Sequence, residues 1–240
     1  MNRWILVFPV LVSFFGSAPL ARADIIYPTN NGFEAPNLGS GVAAYGYGSL
    51  EAQATGLPAL PAGGAWTFNG GTGIAANGSA FNVTGATNGN QDGTTSTAGQ
   101  AAFIQDYANA PFHFNDNMIS QTFGGFSDGF ASVTFSLESR GTNVNPIDVR
   151  LDGQDLGIFT PLSGSSFNTV TTIFVPVTAG SHTLYFIGHN DLPGDNTTFI
   201  DNVSVNNVAS VPEPGSLSLL AIGIAGLAAC GWRLRKQAVR

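Results

Sequence analysis

Cysteine is almost absent from this 240-residue chain, since Cys230 is the only one. The sequence before it therefore has no thiol nucleophile, no disulfide and no cysteine-based zinc site. Basic residues are equally scarce: 24–211 contains Arg140, Arg150 and no lysine, against fourteen Asp and Glu, a formal charge of −12. Because phosphate backbones attract proteins through Lys and Arg, this balance excludes nucleic acid as a partner.

Candidates for catalysis are also few. The three histidines are His113, His182 and His189, and no two of them have the His-x-x-x-His spacing of a metal site. His182 stands in Ala-Gly-Ser-His-Thr-Leu, where packing or a turn contact is the better interpretation. Glycoside hydrolysis needs two carboxylates facing one cleft, and the Glu-x-Asp-x-x-Glu strand motif is missing. We predict no catalytic residue.

The amino-terminal segment has the three parts of a secretory signal. Met1-Asn-Arg3 is a short basic start, 4–16 is an apolar core, and Ala21-Arg-Ala23 has the small-x-small form that signal peptidase accepts. The apolar core is too short to span a bilayer comfortably, and Pro9 interrupts it. We therefore predict a signal peptide over 1–23, removed by signal peptidase before Asp24.

The last part of the chain, 212–240, combines a tripeptide, an apolar run and a basic tail. Residues 217–232 carry no charge and as a helix would span roughly 24 Å, slightly less than a bilayer core near 30 Å. The positive-inside rule would then leave the carboxyl terminus in the cytoplasm. The residues that define the segment are Val211, Pro212, Glu213, Pro214, Gly215, Arg233, Arg235 and Lys236. An anchor that is never cut is the alternative to a processed one.

In order and spacing, these parts resemble the PEP-CTERM signal of bacterial exported proteins. The resemblance implies recognition by an exosortase, a membrane transpeptidase or protease that releases or re-anchors its substrates upstream of the transmembrane helix. It further implies an inner-membrane-anchored precursor, followed by a mature protein at the cell surface or in the extracellular matrix.

Between these signals, 24–211 is 188 residues long, enough for one domain with a full hydrophobic core. Short alternating runs such as 132–137 and 147–151 are separated by Gly, Pro and Asn, and Asp152-Gly153 is a strong hairpin turn. No stretch has a persuasive 3.6-residue apolar period. We predict an all-β fold, an antiparallel jelly-roll β-sandwich. Its loop-rich first half is expected to be ordered, because Trp66, Phe68, Ile74 and Phe81 need somewhere to be buried; the alternative is a poorly ordered, low-complexity surface.

A second resemblance rests on landmarks along the mature domain: Asn31-Gly-Phe-Glu34, Trp66-Thr-Phe68, Val149-Arg-Leu-Asp-Gly153, Ala179-Gly-Ser-His-Thr-Leu184 and Phe199-Ile-Asp-Asn-Val-Ser-Val205. Their order resembles that of exported galactose-binding-like β-sandwiches, a group of non-catalytic carbohydrate-binding modules. The resemblance implies a structural calcium between Glu34 and Asp201, and an exported domain with hard oxygen ligands favours calcium over zinc. The alternative is that Asp201 caps a turn while Glu34 is merely solvated.

Sugar sites pair stacking aromatics with a few fixed polar groups. Tyr45 and Tyr47 stand in Ala-Tyr-Gly-Tyr-Gly, a segment with little other apolar material to bury them. They are the predicted carbohydrate platform. The sequence thus favours a surface or matrix protein that binds exopolysaccharide. The alternatives are a purely structural biofilm component without a specific ligand and, less favoured, a divergent polysaccharide hydrolase.

Overall fold

The computed structural model describes residues 22–48, 56–81, 83–91, 93–107, 117–164, 166–189, 195–210, 220, 222–228 and 232. Arg22–Ser210 forms one compact unit. The strands of the described residues are β1 (Ala23–Ile26), β2 (Tyr45–Tyr47), β3 (Thr67–Asn69), β4 (Thr72–Ala76), β5 (Gln100–Tyr107), β6 (Met118–Phe126), β7 (Gly129–Ser139), β8 (Ile147–Leu151), β9 (Gln154–Phe159), β10 (Asn168–Thr171), β11 (Val175–Val177), β12 (Gly180–Gly188) and β13 (Asp195–Ala209).

The strands form two antiparallel sheets. The eight-stranded sheet has the order β10-β7-β13-β5-β4-β2, with β1 also paired to β13 and β11 to β7. The five-stranded sheet has the order β3-β6-β12-β8-β9. Phe135 of the first sheet and Phe186 of the second pack edge to face, with their ring centroids 5.1 Å apart. The predicted fold class, an antiparallel β-sandwich, is confirmed.

The main core lies between the sheets and follows the predicted alternation. Val133, Phe135 and Leu137 of β7 are buried in it, as are Ile147, Val149 and Leu151 of β8, because successive side chains of a strand point to opposite faces. The hairpin between β8 and β9 turns at Asp152 and Gly153, which have φ of 49° and 82°. Positive φ at both central residues is what a type I′ turn requires.

A smaller second core lies on the outer face of the eight-stranded sheet. Strand β5 shows the division: Ala102 and Ile104 point into the main core, whereas Ala101 and Phe103 point the other way. The segment 77–99, which contains no strand in its described residues, covers this outer side with Phe81, Val83 and Ala86. Of the apolar residues expected to be buried in the first half, Trp66, Ile74 and Phe81 are buried and Phe68 is partly buried, and they are divided between the two cores.

The ends of the chain are described only in part. Most of the predicted signal peptide lies outside the described residues, and the expected cleavage point before Asp24 lies within β1. Residues 220, 222–228 and 232 are helical. No helix in the described part of the chain has both the length and the hydropathy needed to cross a membrane. The transmembrane helix stays a prediction.

Candidate metal centre

The structure brings Glu34 and Asp201 together from opposite ends of the domain. Glu34 follows a tight turn in which Asn30 and Phe33 have positive φ. Asp201 stands where β13 shifts register against β7, and Asn202 after it has a φ of 54°. Val203 N donates to Asn31 O at 2.9 Å, which ties the two irregular segments together.

The Glu34 side chain is fully buried, and only one of its two carboxylate oxygens accepts hydrogen bonds from the described residues. Its Oε1 accepts weak hydrogen bonds from Gly89 N at 3.2 Å and Gln100 N at 3.5 Å, while Oε2 has no partner among the described residues. Burial raises the pKa of Glu34 above its usual range, against hydrogen bonds that lower it. An unpaired buried carboxylate oxygen is costly, and a cation bound beside it would remove that cost.

Asp201 is also fully buried but better satisfied. Its Oδ2 accepts from Thr87 N at 2.9 Å and Thr87 Oγ1 at 3.0 Å, and its Oδ1 from Asn202 N at 2.7 Å. Burial, with a smaller contribution from the charge of Glu34, raises the pKa of Asp201 to about 7 despite these hydrogen bonds. The charge of Glu34 thus disfavours the ionised form of Asp201, an effect that a bound cation would reverse.

Further oxygen atoms converge at Gly32. A methyl group placed on this residue would lie 2.9 Å from both Asn90 Oδ1 and Gly89 O, and 3.5 Å from Asp201 Oδ1. Only glycine leaves this space free. The described residues contain no group of three or more His, Cys, Asp or Glu side chains placed to hold one metal ion. Amide and carbonyl oxygens would therefore have to complete the coordination. Such a set of hard oxygens fits calcium.

Sequence reasoning identified Glu34 and Asp201 but missed the residues around them. Thr87, Gly89 and Asn90 belong to a stretch of small polar residues whose only local signal is turn formation. It also missed Glu138 on β7, which is 5% exposed, accepts a hydrogen bond from Thr84 Oγ1 at 2.9 Å and leaves Oε2 without a partner in the described chain. Glu138 lies on the outer face of β7, which segment 77–99 covers there through Thr84.

The premise behind the tyrosine platform is wrong. Tyr47 is 6% exposed, lies edge-on to Phe103 at 5.0 Å and donates from its hydroxyl to Gln105 Oε1 at 2.6 Å. Tyr45 is half-buried and packs against Phe81 at 5.0 Å. The apolar partners that the local sequence lacks come from β5 and from segment 77–99, so the second core occupies both rings.

The histidines differ in what they contact. His113 lies outside the described residues, and His189 is exposed. His182 is buried, packs edge-on against Phe126, and has Asp152 at Nδ1 and Thr178 O at Nε2, 2.8 Å away. A carboxylate at one ring nitrogen is also found in catalytic triads, but there the other nitrogen faces a nucleophile. Here a carbonyl oxygen holds it, so His182 joins two turns.

One motif was overlooked at the sequence level. Gly125-Phe-Ser-Asp-Gly129 has the Gly-x-Ser-x-Gly spacing of a nucleophile elbow. Ser127 lies between β6 and β7 rather than between a strand and a helix, and its N donates to Asn207 Oδ1 at 2.8 Å. The motif here forms a strand-to-strand turn.

Residues 210–236 match the model of the PEP-CTERM protein-sorting motif, which confirms that resemblance. This interval contains the tripeptide and basic residues singled out above, although most of it lies outside the described structure. No curated protein matches the chain.

Solved structures with a similar fold include three carbohydrate-binding modules. The CBM36-1 domain of a multidomain xylanase from the hindgut metagenome of Trinervitermes trinervoides is 24% identical, with 45% of this chain and 87% of that one covered and a TM-score of 0.32. TmCBM61 in complex with β-1,4-galactotriose is 13% identical over 75% and 96% of the chains, with a TM-score of 0.42. CBM36 in complex with calcium and xylotriose is 14% identical over 42% and 85%, with a TM-score of 0.32. These TM-scores leave ligand and metal undecided.

Proposed function

We propose that this protein is exported, sorted by an exosortase-type enzyme, and active outside the cell as a non-catalytic β-sandwich associated with exopolysaccharide. The observation that carries the proposal is the sorting motif at 210–236. The precursor is anchored in the inner membrane, and the mature protein resides at the cell surface or in the extracellular matrix.

The surface chemistry of the domain supports a neutral, hydroxyl-rich partner. A formal charge of −12 over 24–211 disfavours polyanions, and Ser, Thr and Asn dominate its polar residues. Sugars match such a surface because they present hydroxyls beside apolar ring faces. Retention of the mature protein on the host's own exopolysaccharide tests the role. A protein retained on no glycan is a structural matrix component, and polysaccharide turnover abolished by one carboxylate substitution establishes a hydrolase.

The second part of the proposal is that Glu34 and Asp201 hold a structural calcium ion. The unpartnered Oε2 of Glu34 and the oxygens around Gly32 support it. Calcium there would supply positive charge between two buried carboxylates and fix segment 77–99, whose backbone already donates to both. Calcium, rather than zinc, fits an all-oxygen donor set.

Calcium-dependent stability tests this site. Binding to the native state alone stabilises it by RT ln(1 + [L]/Kd), about 2.7 kcal/mol at a hundredfold excess over Kd. We expect the melting temperature of chelator-treated protein to rise with added calcium, and Glu34→Gln to abolish the rise. Glu138→Gln is the matched control, because that buried glutamate also has an unpartnered oxygen but lies outside the site. A Glu34→Gln protein with the full calcium response would contradict the assignment.

A further inference from the structure

The outer surface of the five-stranded sheet carries a row of side chains that crosses all its strands. Strand pairing places Thr67, Ser120, Tyr185, Arg150 and Asp155 directly opposite one another in turn. Each alternates with a residue that points into the core, so the row faces outward. At about 4.8 Å between strands, the row is roughly 19 Å long.

A fixed charged pair stands in this surface. Arg150 donates from Nε and Nη2 to the same oxygen of Asp148, at 2.9 Å and 2.7 Å. The Asp148 side chain is only 8% exposed, whereas that of Arg150 is 45% exposed. The other Asp148 oxygen, Oδ1, has no partner in the described part of the chain. The pair therefore holds a guanidinium in place for an incoming acceptor and lacks one donor of its own.

An apolar strip lies beside this pair. Tyr185 is half-buried and stands between Ser120 and Arg150 in the strand register. One row further along the strands, Met118 and Ile187 lie opposite each other and are also half-buried. The Tyr185 hydroxyl has no hydrogen-bond partner among the described residues. Aromatic and aliphatic surface next to immobilised polar groups is what a pyranose ring needs.

The charge of the surface selects among ligands. The charge of Arg150 is compensated by Asp148 at hydrogen-bond distance, and Asp155 stands opposite it on β9. A polyanion would meet no net positive charge here, and the rest of the domain would repel it. A neutral chain carries hydroxyl donors and acceptors in equal measure and incurs no such penalty.

We propose that this surface binds a neutral polysaccharide chain lying across the strands. Tyr185 stacks on a sugar ring, and the Arg150 guanidinium donates to sugar oxygens. Asp148 is a positioning residue for Arg150, because its Oδ2 accepts both guanidinium hydrogen bonds. The proposal rests on the proposed polysaccharide association and replaces Tyr45 and Tyr47 as its site.

The corresponding surface of the other sheet is partly closed. Segment 77–99 covers the β2, β4 and β5 side of the eight-stranded sheet, and its second core occupies the tyrosines there. In the five-stranded sheet, Thr67, Arg150 and Asp155 of the outer row are exposed.

Affinity electrophoresis of the mature protein from its host tests the proposal. The gels contain β-1,4-galactan, xylan, mannan or, as the anionic probe, polygalacturonate. We expect retardation by at least one neutral glycan, about tenfold weaker for Tyr185→Ala and also weakened for Arg150→Gln. Tyr27→Ala is the matched control, because Tyr27 is 42% exposed and lies outside this surface; it should bind as the wild type does.

The possible results distinguish an error in the proposed site from an error in the proposed function. If the wild type binds a neutral glycan and both Tyr185→Ala and Arg150→Gln bind it equally well, this site is wrong while the polysaccharide role stands. If the wild type binds only polygalacturonate, the inferred neutral ligand is wrong. If it binds none of the glycans, nor the host's own exopolysaccharide, the proposed function itself fails. Thermal unfolding of each variant separates lost binding from lost folding, and Arg150→Gln decides the matter if Tyr185→Ala does not fold.

Discussion

At the scale of single residues, the domain is defined by how it compensates its buried charges. Buried Asp148 is paired with Arg150, and buried His182 is paired with Asp152. Glu34 and Asp201 have mainly backbone and hydroxyl donors, and the charge of Glu34 disfavours ionisation of Asp201. A resemblance in sequence order was enough to predict the Glu34 and Asp201 pair. The surroundings of the pair could not be predicted, because Thr87, Gly89 and Asn90 lie in a stretch with no periodic signal.

The His182–Asp152 pair predicts a pH dependence of stability. Desolvation lowers the pKa of His182, but the hydrogen bonds to Thr178 and Asp152 and the charge of Asp152 raise it more, so the net shift is upward. Desolvation raises the pKa of Asp152, but hydrogen bonds from Thr183 and His182 and the His182 charge lower it overall. The contribution of the pair should therefore be lost as pH rises through the folded pKa of His182, which lies above 6.5, and as pH falls below about 3.8.

Urea unfolding of wild type and Asp152→Asn at a series of pH values measures this contribution. The difference between the two proteins should be largest near pH 5 to 6 and should shrink by pH 9. The difference isolates the pair from Glu34 and Asp201, whose raised pKa values act in both proteins. His189→Asn is the control for the loss of a histidine at an exposed position. A constant Asp152→Asn penalty across the range would mean that His182 is not charged in the pair.

At the scale of elements, strands could be predicted from the sequence, but the packing of segment 77–99 on the outer face of the eight-stranded sheet could not. The alternation in 132–137 and 147–151 and the Asp152-Gly153 turn correctly predicted parts of β7, β8 and the β8–β9 hairpin. These patterns depend only on neighbours in sequence. The burial of Tyr45 and Tyr47 depends on Phe81 and Phe103, which approach only in the folded domain. Local composition therefore wrongly treated buried Tyr47 and half-buried Tyr45 as residues without apolar partners.

Because Tyr47 belongs to the second core, its removal should lower stability, whereas removal of an exposed sugar-binding tyrosine would leave stability nearly unchanged. Removing the Tyr47 ring deletes contacts with Phe81 and Phe103 and the hydrogen bond to Gln105, so Tyr47→Ala should cost about 3 kcal/mol of unfolding free energy. Tyr27→Ala, at an exposed tyrosine, should change it by no more than about 0.5 kcal/mol. Urea unfolding measures both, and equal small effects would show that the second core contributes little.

Segment 77–99 should respond to calcium as a unit. Its backbone donates to Asp201 through Thr87 and to Glu34 through Gly89. A bound cation should therefore protect it more than the strands of the main core. Hydrogen exchange measured by mass spectrometry, with calcium and with chelator, should show the largest change in peptides from 77–99 and little in β7 and β12. Uniform protection across the domain would indicate only global stabilisation.

At the scale of the whole molecule, a folded domain stands upstream of a sorting motif. The sandwich occupies Arg22–Ser210, and the motif begins at residue 210, so little chain separates them. If the tripeptide is a recognition site, Glu213→Ala should leave the precursor in the inner membrane with its tail intact, because the apolar run and basic residues are unchanged. Cell fractionation measures this, with Glu138→Gln as a control for a glutamate lost elsewhere. Equal release of Glu213→Ala and wild type would contradict recognition of the tripeptide.

The most direct test of the central claim, an exported and processed β-sandwich, is the intact mass of the mature protein recovered from its host. The account predicts a polypeptide that begins at Asp24 and ends upstream of the apolar run 217–232, with any anchor attached there. A polypeptide that retains residues 217–240 would contradict processing at the sorting motif, and one that retains residues 1–23 would contradict removal of a signal peptide.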